Sequence, residues 1–312
     1  MRRVLLRWLL TSVPLVLFVS VLTFVLVSLV PGDAARSILG VETTPQTYEA
    51  LRRQLGLNLP LWRQYWNWLD QVAHGSFGIS IQSSAPVGHE LAARLPVTLS
   101  IVGGAALVAA VFGVGLGLVS AVRGGPLGRA LDVLSLSGLA VPAYWFGLVL
   151  VTVFAVKLHW FPASGYVSFS QSPGGWLVSL VLPVVTLGFG GSAVIAKQTR
   201  SGVLTELGRP YVLALRARGL SERRIVLRHV LRNAAAPVVT VLGLVVTGLI
   251  GGTVLVETVF VLPGLGSMAV TATTQHDIPV IQAVAVVFTL IVVGVNLLIE
   301  IVYAALDPKV RP

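Results

Sequence analysis

Long apolar stretches are the feature that most restricts what this chain can fold into. Six stretches are each apolar over about 20 residues or more, the length of a helix that crosses a hydrocarbon core of about 30 Å. A spanning helix satisfies its backbone hydrogen bonds internally. We therefore predict one all-α, polytopic membrane domain over residues 1–312, a bundle of six transmembrane helices. The predicted spans are Trp8–Val30, Val97–Val122, Leu131–Val156, Trp176–Ala196, Pro237–Val261 and Val280–Leu306.

The composition agrees with a membrane protein. Apolar residues make up 55% of the chain and charged residues only 11%, whereas an ordinary soluble domain needs far more polar surface. The first apolar stretch is longer than the core of a secretory signal peptide and lacks a nearby cleavage pattern, so we expect a retained helix. The absence of cysteine excludes disulfide bonds and thiolate metal sites.

The distribution of basic residues indicates the orientation of the helices. If the N-terminus is cytoplasmic, 16 of the 22 Lys and Arg residues lie in cytoplasmic segments, nine of them between Lys197 and Arg232. Cytoplasmic loops of membrane proteins carry such an excess. We therefore predict that both termini and the 197–236 segment are cytoplasmic. Because the basic residues follow topology, the net charge of +10 does not indicate nucleic-acid binding.

The segment between the first two spans, residues 31–96, is predicted to be a structured extracytoplasmic loop. Thr44 and Pro45 are typical of a helix start, and Gly56 is typical of a helix end. A second short helix is expected to carry an aromatic face, which suits the membrane interface but also a gate or a docking surface. The residues of that face are Trp62, Tyr65, Trp66 and Leu69.

Proline and glycine within the spans predict kinks, local breaks or close helix packing. The interrupting residues are Pro14, Pro142 and Pro183, together with Gly188, Gly190 and Gly191 in the fourth span. A further glycine run lies in the second span with no strand before it, so we interpret it as a packing face rather than a nucleotide loop. This run is Gly113, Gly115 and Gly117.

The sequence lacks the motifs of common enzymes. It has no Gly-Lys phosphate loop, no HExxH, no GxSxG and no clustered carboxylates, and its five histidines are dispersed. We therefore expect a non-enzymatic chain with no catalytic, cofactor-binding or metal-binding residues. Some polar and aromatic residues within the spans are candidates for lining a pathway, although a bundle also uses polar contacts for packing. They are Tyr144, Trp145, Thr186, Thr247, Glu257 and Asn296.

The arginine-rich 197–236 segment predicts a helix, a tight turn and a second helix. The first helix would run from Thr205 to Arg218, with Gly219 as its stop and Ser221 as the N-cap of a helix to Ala235. On the second helix one edge would be basic and the other apolar. The basic edge is Arg224, Arg228 and Arg232, and the apolar edge is Leu227, Val230, Leu231 and Ala234.

Three interpretations of this segment compete. A solvated basic face that contacts anionic lipid is one. A DNA-binding helix-turn-helix is disfavoured, because a loop tied to the membrane at both ends could hardly enter a major groove. The third is a protein partner seated on a turn whose glycine permits close approach.

The segment resembles the EAA loop in permease subunits of ABC importers for dipeptides and oligopeptides, where a glycine between two short helices seats in a groove of the ATPase subunit. Other blocks along nearly the whole chain are similar to the same family. They are VPGD at 30–33, LGLNLPLWRQYWNWL at 55–69, HGSFGIS at 74–80, VPAYWFG at 141–147, ETVFVLPGLG at 257–266 and LDPKVR at 306–311.

The resemblance implies a multi-pass permease of a bacterial inner membrane, with a sister permease and an extracytoplasmic binding protein as partners. It implies one or two partner ATPases that bind ATP and Mg²⁺, so that this chain needs no cofactor. The implied coupling residues are Ala214, Arg216, Ala217, Arg218, Gly219, Leu220, Ser221 and Glu222.

The chain departs from the general EAA pattern at two positions. Leu213 stands where a glutamate is usual and Leu215 where an alanine is usual.

The implied solute is a dipeptide or oligopeptide, and haem or a nickel chelate is the alternative within the family. A membrane channel or a lipid-binding scaffold is the alternative of another class, and either would function without ATP.

Overall fold

The computed structural model describes residues 2–29, 32, 34–40, 44–123 and 125–306. Within these ranges the chain forms helices and loops, with one isolated antiparallel bridge between Ile79 and Pro86 and no strand. The predicted all-α class is therefore confirmed. The VPGD and LDPKVR blocks lie largely outside the described residues. The helices are α1 (Arg2–Ser28), α2 (Ala34–Leu39), α3 (Pro45–Gln54), α4 (Leu61–Ala73), α5 (Val87–Arg123), α6 (Gly125–Ala140), α7 (Ala143–Leu150), α8 (Pro173–Leu207), α9 (Pro210–Ala217), α10 (Glu222–Arg224), α11 (Leu231–Val259), α12 (Leu265–Gln275) and α13 (Ile278–Leu306), with π-helical segments Val151–Lys157 after α7 and Ile225–Val230 after α10.

Five helical stretches in the described part of the chain are long and apolar enough to cross a membrane. They coincide with the first, second, fourth, fifth and sixth predicted spans but extend beyond several of them. They are Leu10–Ser28, Val87–Arg123, Pro173–Leu207, Glu222–Val259 and Ile278–Tyr303.

The third predicted span is divided. Its sequence falls on α6 and on the shorter apolar helix Ala143–Lys157, with a break at Val141 and Pro142. Proline lacks a backbone N–H and disfavours the helical conformation of the residue before it, which accounts for the interruption. Pro14 and Pro183, by contrast, lie within continuous helices, and so do the glycines of the fourth span.

One compact unit consists of residues 1–98 and 263–293. It contains a buried cluster in which side chains from the start of α5 meet those of α12 and α13, including Leu91, Met268 and Val284. Two hydrogen bonds join the segment 78–86 to the segment 275–278. The Ser80 hydroxyl donates to Asp277 at 2.5 Å, and the Gln82 side-chain amide donates to the Gln275 carbonyl at 3.2 Å.

The predicted short helices in this unit are present. The Thr44 hydroxyl caps α3 by accepting from Thr47 N at 3.4 Å, and Gly56 follows the helix with φ +69°. Helix α5 begins at Val87, so the predicted loop ends before Pro96.

The predicted aromatic face of α4 is divided in the structure. Trp62 and Trp66 are exposed, whereas Tyr65 exchanges a 2.8 Å hydrogen bond with Ser20 of α1. Leu69 is half-buried beside them. The buried aromatic residue of this helix is Trp68, which does not belong to the predicted face.

The second compact unit consists of residues 99–262 and 294–312. Helix α8 is its most buried long helix, and α5 approaches it through glycines. A Cβ atom on Gly113 would lie 2.9 Å from the Ser192 carbonyl oxygen, and one on Gly117 would lie 2.7 Å from Thr199 Cβ. These two glycines form the predicted packing face. Gly115 has open space beside it and does not take part.

Candidate functional site

The turn after α9 is built around Gly219. This residue has φ +74°, a left-handed conformation that glycine adopts without steric cost. Its N–H donates to Arg216 O at 2.9 Å, and Leu220 N donates to Leu215 O at 3.3 Å. This pair of bonds is the Schellman motif, which satisfies the last carbonyl groups of a helix. No atom lies within 4 Å of a Cβ built on Gly219, so the turn presents open backbone.

An ion pair closes the turn on its exposed side. Arg216 Nε donates to Glu222 Oε1 at 2.6 Å, and Arg216 Nη2 donates to Glu222 Oε2 at 3.2 Å. The two-point contact joins the last turn of α9 to the first residue of α10. The hydrogen bonds that Arg216 donates to the Glu222 carboxylate raise the pKa of the guanidinium above its usual value. The pair fixes the geometry of the turn without burying a charge.

An apolar cluster anchors the turn to the membrane helices. Its buried members come from α5, α8, α9, the π-helical segment and α11, so that both arms of the loop rest on one core. They are Ala121, Val203, Val212, Ile225, Val230 and Ala234, with Leu215 and Leu220 packed against them.

A polar network lies beside this cluster. The Tyr211 hydroxyl donates to Glu206 Oε2 at 2.8 Å, and Asn233 Nδ2 donates to the Tyr211 oxygen at 3.2 Å. Arg209 Nε lies 3.8 Å from the other Glu206 oxygen. Burial, and then the hydrogen bond to Glu206, raise the pKa of the Tyr211 phenol above 10.0. The network joins the end of α8, α9 and α11.

The eight predicted coupling residues lie together on this loop. Arg216 and Glu222 form the ion pair, while Gly219 and Leu220 make the turn. Ser221 occupies the predicted N-cap position with extended backbone, but its side chain makes no cap hydrogen bond. The three others are exposed: Ala214, Ala217 and Arg218.

The predicted limits and faces of the two helices need correction. The first helix of the loop begins at Pro210 rather than Thr205, because α8 continues to Leu207. The second does not end at Ala235 but runs through the π-helical segment into α11. Leu227 is 49% exposed and does not belong to the apolar edge, where Ile225 and Val226 are buried instead. Arg224, Arg228 and Arg232 are all exposed, as predicted.

Further residues, which the EAA-like motif did not indicate, complete the site. Asn233 lies 27 residues from Glu206 and 22 from Tyr211, and the fold brings it to both. Leu213, at the position that departs from the EAA pattern, is 65% exposed beside the turn. The helical periodicity of α9 could have predicted that this leucine is exposed, and an exposed apolar side chain indicates a contact surface.

The candidate pathway residues occupy several helices of the second compact unit, and their described contacts do not join them into one cluster. Tyr144 and Trp145 are exposed on α7, and Asn296 is exposed on α13. Thr186 and Thr247 donate to carbonyl groups one turn earlier in their own helices, at 2.7 and 3.0 Å. Glu257 is fully buried on α11.

Two family models together match most of the chain. "Binding-protein-dependent transport system inner membrane component" matches residues 113–312, and the N-terminal model of the same system matches residues 1–102.

Relatives cover nearly the full length of the chain. A putative peptide transport system permease protein of Brucella abortus (strain 2308) is 38% identical over 301 residues, which are 96% of each chain. The glutathione transport system permease protein GsiC of Escherichia coli (strain K12) is 39% identical over 304 residues, which are 97% of each chain.

A solved structure has the same fold at low identity. It is an inward-facing conformation of the MetNI methionine ABC transporter, with a TM-score of 0.56 and 17% identity over 70% of this chain and 96% of that chain. By sequence and fold together, the chain belongs to the family of inner membrane components of binding-protein-dependent transport systems, and it is a multi-pass permease subunit of an ABC importer.

Proposed function

We propose that the chain pairs with a sister permease to form the pathway of an importer for dipeptides or oligopeptides. The observation that supports a coupling role is the open Schellman turn at Gly219, which its apolar cluster anchors on the membrane helices. The names of the relatives, peptide and glutathione permeases, favour a peptide over haem or a nickel chelate. Membership of an importer family favours ATP-driven transport over a channel or a scaffold.

The proposed topology has six crossings and cytoplasmic termini. The divided third span would cross as α6 followed by the helix Ala143–Lys157, and the excess of Lys and Arg orients the chain. The Gly219 turn then faces the cytoplasm, and the loop with α2, α3 and α4 faces the opposite side, where a binding protein would deliver solute. The bonds from Ser80 to Asp277 and from Gln82 to Gln275 support a single receiving surface there.

Coupling would begin when two partner ATPases bind ATP and Mg²⁺ and close. The groove of one ATPase would hold Gly219 and the exposed side chains around it, with Ala214, Ala217, Arg218 and Ser221 in contact. The ion pair of Arg216 and Glu222 would keep the turn rigid, and Leu220 would carry the displacement into the apolar cluster. Because the stretch Glu222–Val259 is continuous, the displacement would reach the membrane core and shift the bundle between outward and inward access.

The solute pathway would use the polar and aromatic residues of the spans. Tyr144 and Trp145 present exposed rings on α7, and Asn296 presents an exposed amide on α13. Thr186, Thr247 and Glu257 would contribute by rotation of α8 and α11 during the transport cycle. This chain itself would hydrolyse nothing.

The test is purification of the full chain with its partners, comparing Gly219→Asp with the matched control Gly75→Asp. Gly75 also ends a helix through a Schellman motif, with φ +84° and no atom within 4 Å of a built Cβ. Backbone strain of about 1–2 kcal/mol is therefore common to both variants.

We expect Gly219→Asp to lose ATPase subunits and ATP-dependent peptide uptake, whereas Gly75→Asp retains the ATPases. Equal retention of the ATPases by both variants, with normal uptake, would refute the coupling role.

A further inference from the structure

A cavity of about 410 Å³ lies within the first compact unit. Its walls come from α1, the end of α3 and the loop that follows it, α4, the 78–81 loop and the start of α13. This volume lies in the range of about 300–1,000 Å³ that is usual for small-ligand sites. Phe24, Ile79 and Ile278 contribute apolar surface.

The polar lining of the cavity is almost entirely amide. No charged side chain is among the described residues that line it. The polar side chains are Gln54, Gln64, Asn67, Trp68, Gln71 and Gln282. Amide groups both donate and accept hydrogen bonds, and a peptide main chain alternates the same two functions. The lining is therefore complementary to a peptide backbone.

Two buried donors in the lining have no hydrogen-bond partner among the described residues. They are the indole N–H of Trp68, which is 7% exposed, and the side-chain amide nitrogen of Gln282, which is 1% exposed. An indole N–H can only donate. Burial of an unpaired donor is unfavourable, so both groups favour a ligand that brings carbonyl oxygens.

The surrounding contacts hold the Trp68 donor and the neighbouring loop in place. The Trp68 ring packs against Tyr65 with centroids 6.1 Å apart, and the Tyr65 hydroxyl is bonded to Ser20. Gln64 donates to the carbonyl groups of Leu57 and Leu59 at 3.4 and 2.8 Å, which fixes the loop at the rim. The site is therefore built before any ligand arrives.

We propose that this cavity binds the interior of a short peptide through its uncharged backbone amides. Ionised peptide termini are excluded, because a charged group buried here would lose water and gain no charged partner. The occupant is a free peptide rather than a docked protein, since the unpaired donors lie deep in a small cavity. The residues that line the site are different from those of the coupling turn, and the inference holds whichever solute the pathway carries.

The test measures binding of N-acetyl-trialanine amide to the complete transporter in lipid nanodiscs. Trp68→Phe and Gln282→Leu each remove one donor and keep most of the side-chain volume. Trp62→Phe is the matched control, because it lies on the same helix, is 66% exposed and does not line the cavity. We expect saturable binding that each cavity variant weakens about three- to tenfold, with the control unchanged.

Two further readouts separate a binding role from a structural one. Replacing an unpaired buried donor by an apolar group of similar shape removes its desolvation cost, so Gln282→Leu should raise the Tm by about 2 °C without the probe. Zwitterionic dialanine should bind at least about tenfold more weakly than the capped probe, because its charged ends would be desolvated.

Absence of saturable binding, equal affinity for dialanine, or a lowered Tm of Gln282→Leu with unchanged probe affinity would each overturn the proposal. Peptide uptake by the same variants is measured separately, so that loss of transport and loss of this site are distinguished.

Discussion

At the scale of single residues, the coupling loop depends on polar contacts that differ in burial. The ion pair of Arg216 and Glu222 is exposed, and exposed pairs add little to stability because water and salt screen them. Its contribution is geometric. The phenol of Tyr211 is half-buried and donates to a carboxylate, so removing it has an energetic cost.

Tyr211→Phe is therefore expected to destabilise the chain by about 1 kcal/mol, the usual value for one hydrogen bond. The pKa of this phenol is raised in the folded state. Its contribution is accordingly complete below the unfolded value of about 10 and is lost as the pH rises through the folded pKa. Thermal unfolding of both proteins between pH 6 and 11 measures this.

The gap in Tm between wild type and Tyr211→Phe should stay constant up to about pH 9 and shrink above about pH 10. Tyr166→Phe, in a loop of the same unit, is the control for loss of a phenol. A gap that widens at high pH would contradict the assignment.

At the scale of secondary-structure elements, the π-helical segment Ile225–Val230 joins α10 to α11 and changes the register of the residues that follow it. Its bonds span five residues, as from Leu231 N to Val226 O, so side chains after it are displaced from the α-helical register. Within the segment itself, Ile225 and Val226 are buried, while Leu227 is exposed. The coupling arm is thus both continuous and specifically packed.

Ile225→Ala is expected to destabilise the chain by about 2–5 kcal/mol, because it leaves a cavity in the cluster under the turn. Leu227→Ala, two residues later and half-exposed, should change stability by less than about 0.5 kcal/mol. Thermal unfolding of the purified subunit compares the two variants directly. The apolar edge predicted from the sequence included Leu227, so a loss of stability as large for Leu227→Ala as for Ile225→Ala would contradict the burial seen in the structure.

The sequence was sufficient for most elements and insufficient for their contacts. Hydropathy located the long spans, and Thr44, Gly56 and Gly219 marked helix ends that the structure has, because caps are local chemistry. The π-helical register could not be predicted, since periodicity assumes a constant turn. The network of Glu206, Tyr211 and Asn233 joins residues up to 27 positions apart, and pattern analysis does not detect such contacts.

At the scale of the whole molecule, the two compact units carry different parts of the proposed cycle. The Gly219 turn and its cluster belong to residues 99–262 and 294–312, and the loops proposed to receive solute belong to residues 1–98 and 263–293. Variants of the two units should therefore fail in different assays. Variants of the unit that contains Gly219 should lose ATPase binding. Variants of the other unit should lose delivery of the solute and retain the ATPases.

Ser80→Ala tests the receiving side. It removes the donor to Asp277, a carboxylate that is 2% exposed, and so loosens the contact between the 78–86 and 275–278 loops. Ser83→Ala is the matched control, because its hydroxyl donates to Glu90 in an exposed contact of the same loop. Binding-protein-dependent uptake in proteoliposomes and copurification of ATPases are measured for each variant.

We expect Ser80→Ala to lower uptake at least about fivefold while all partner subunits copurify, since a hydrogen bond to a buried carboxylate contributes about 1.5–3 kcal/mol. Ser83→Ala should retain uptake. If Ser80→Ala loses ATPase subunits as Gly219→Asp does, the two units do not have separate functions. Delivery of the solute and coupling to the ATPases would then depend on one shared conformation.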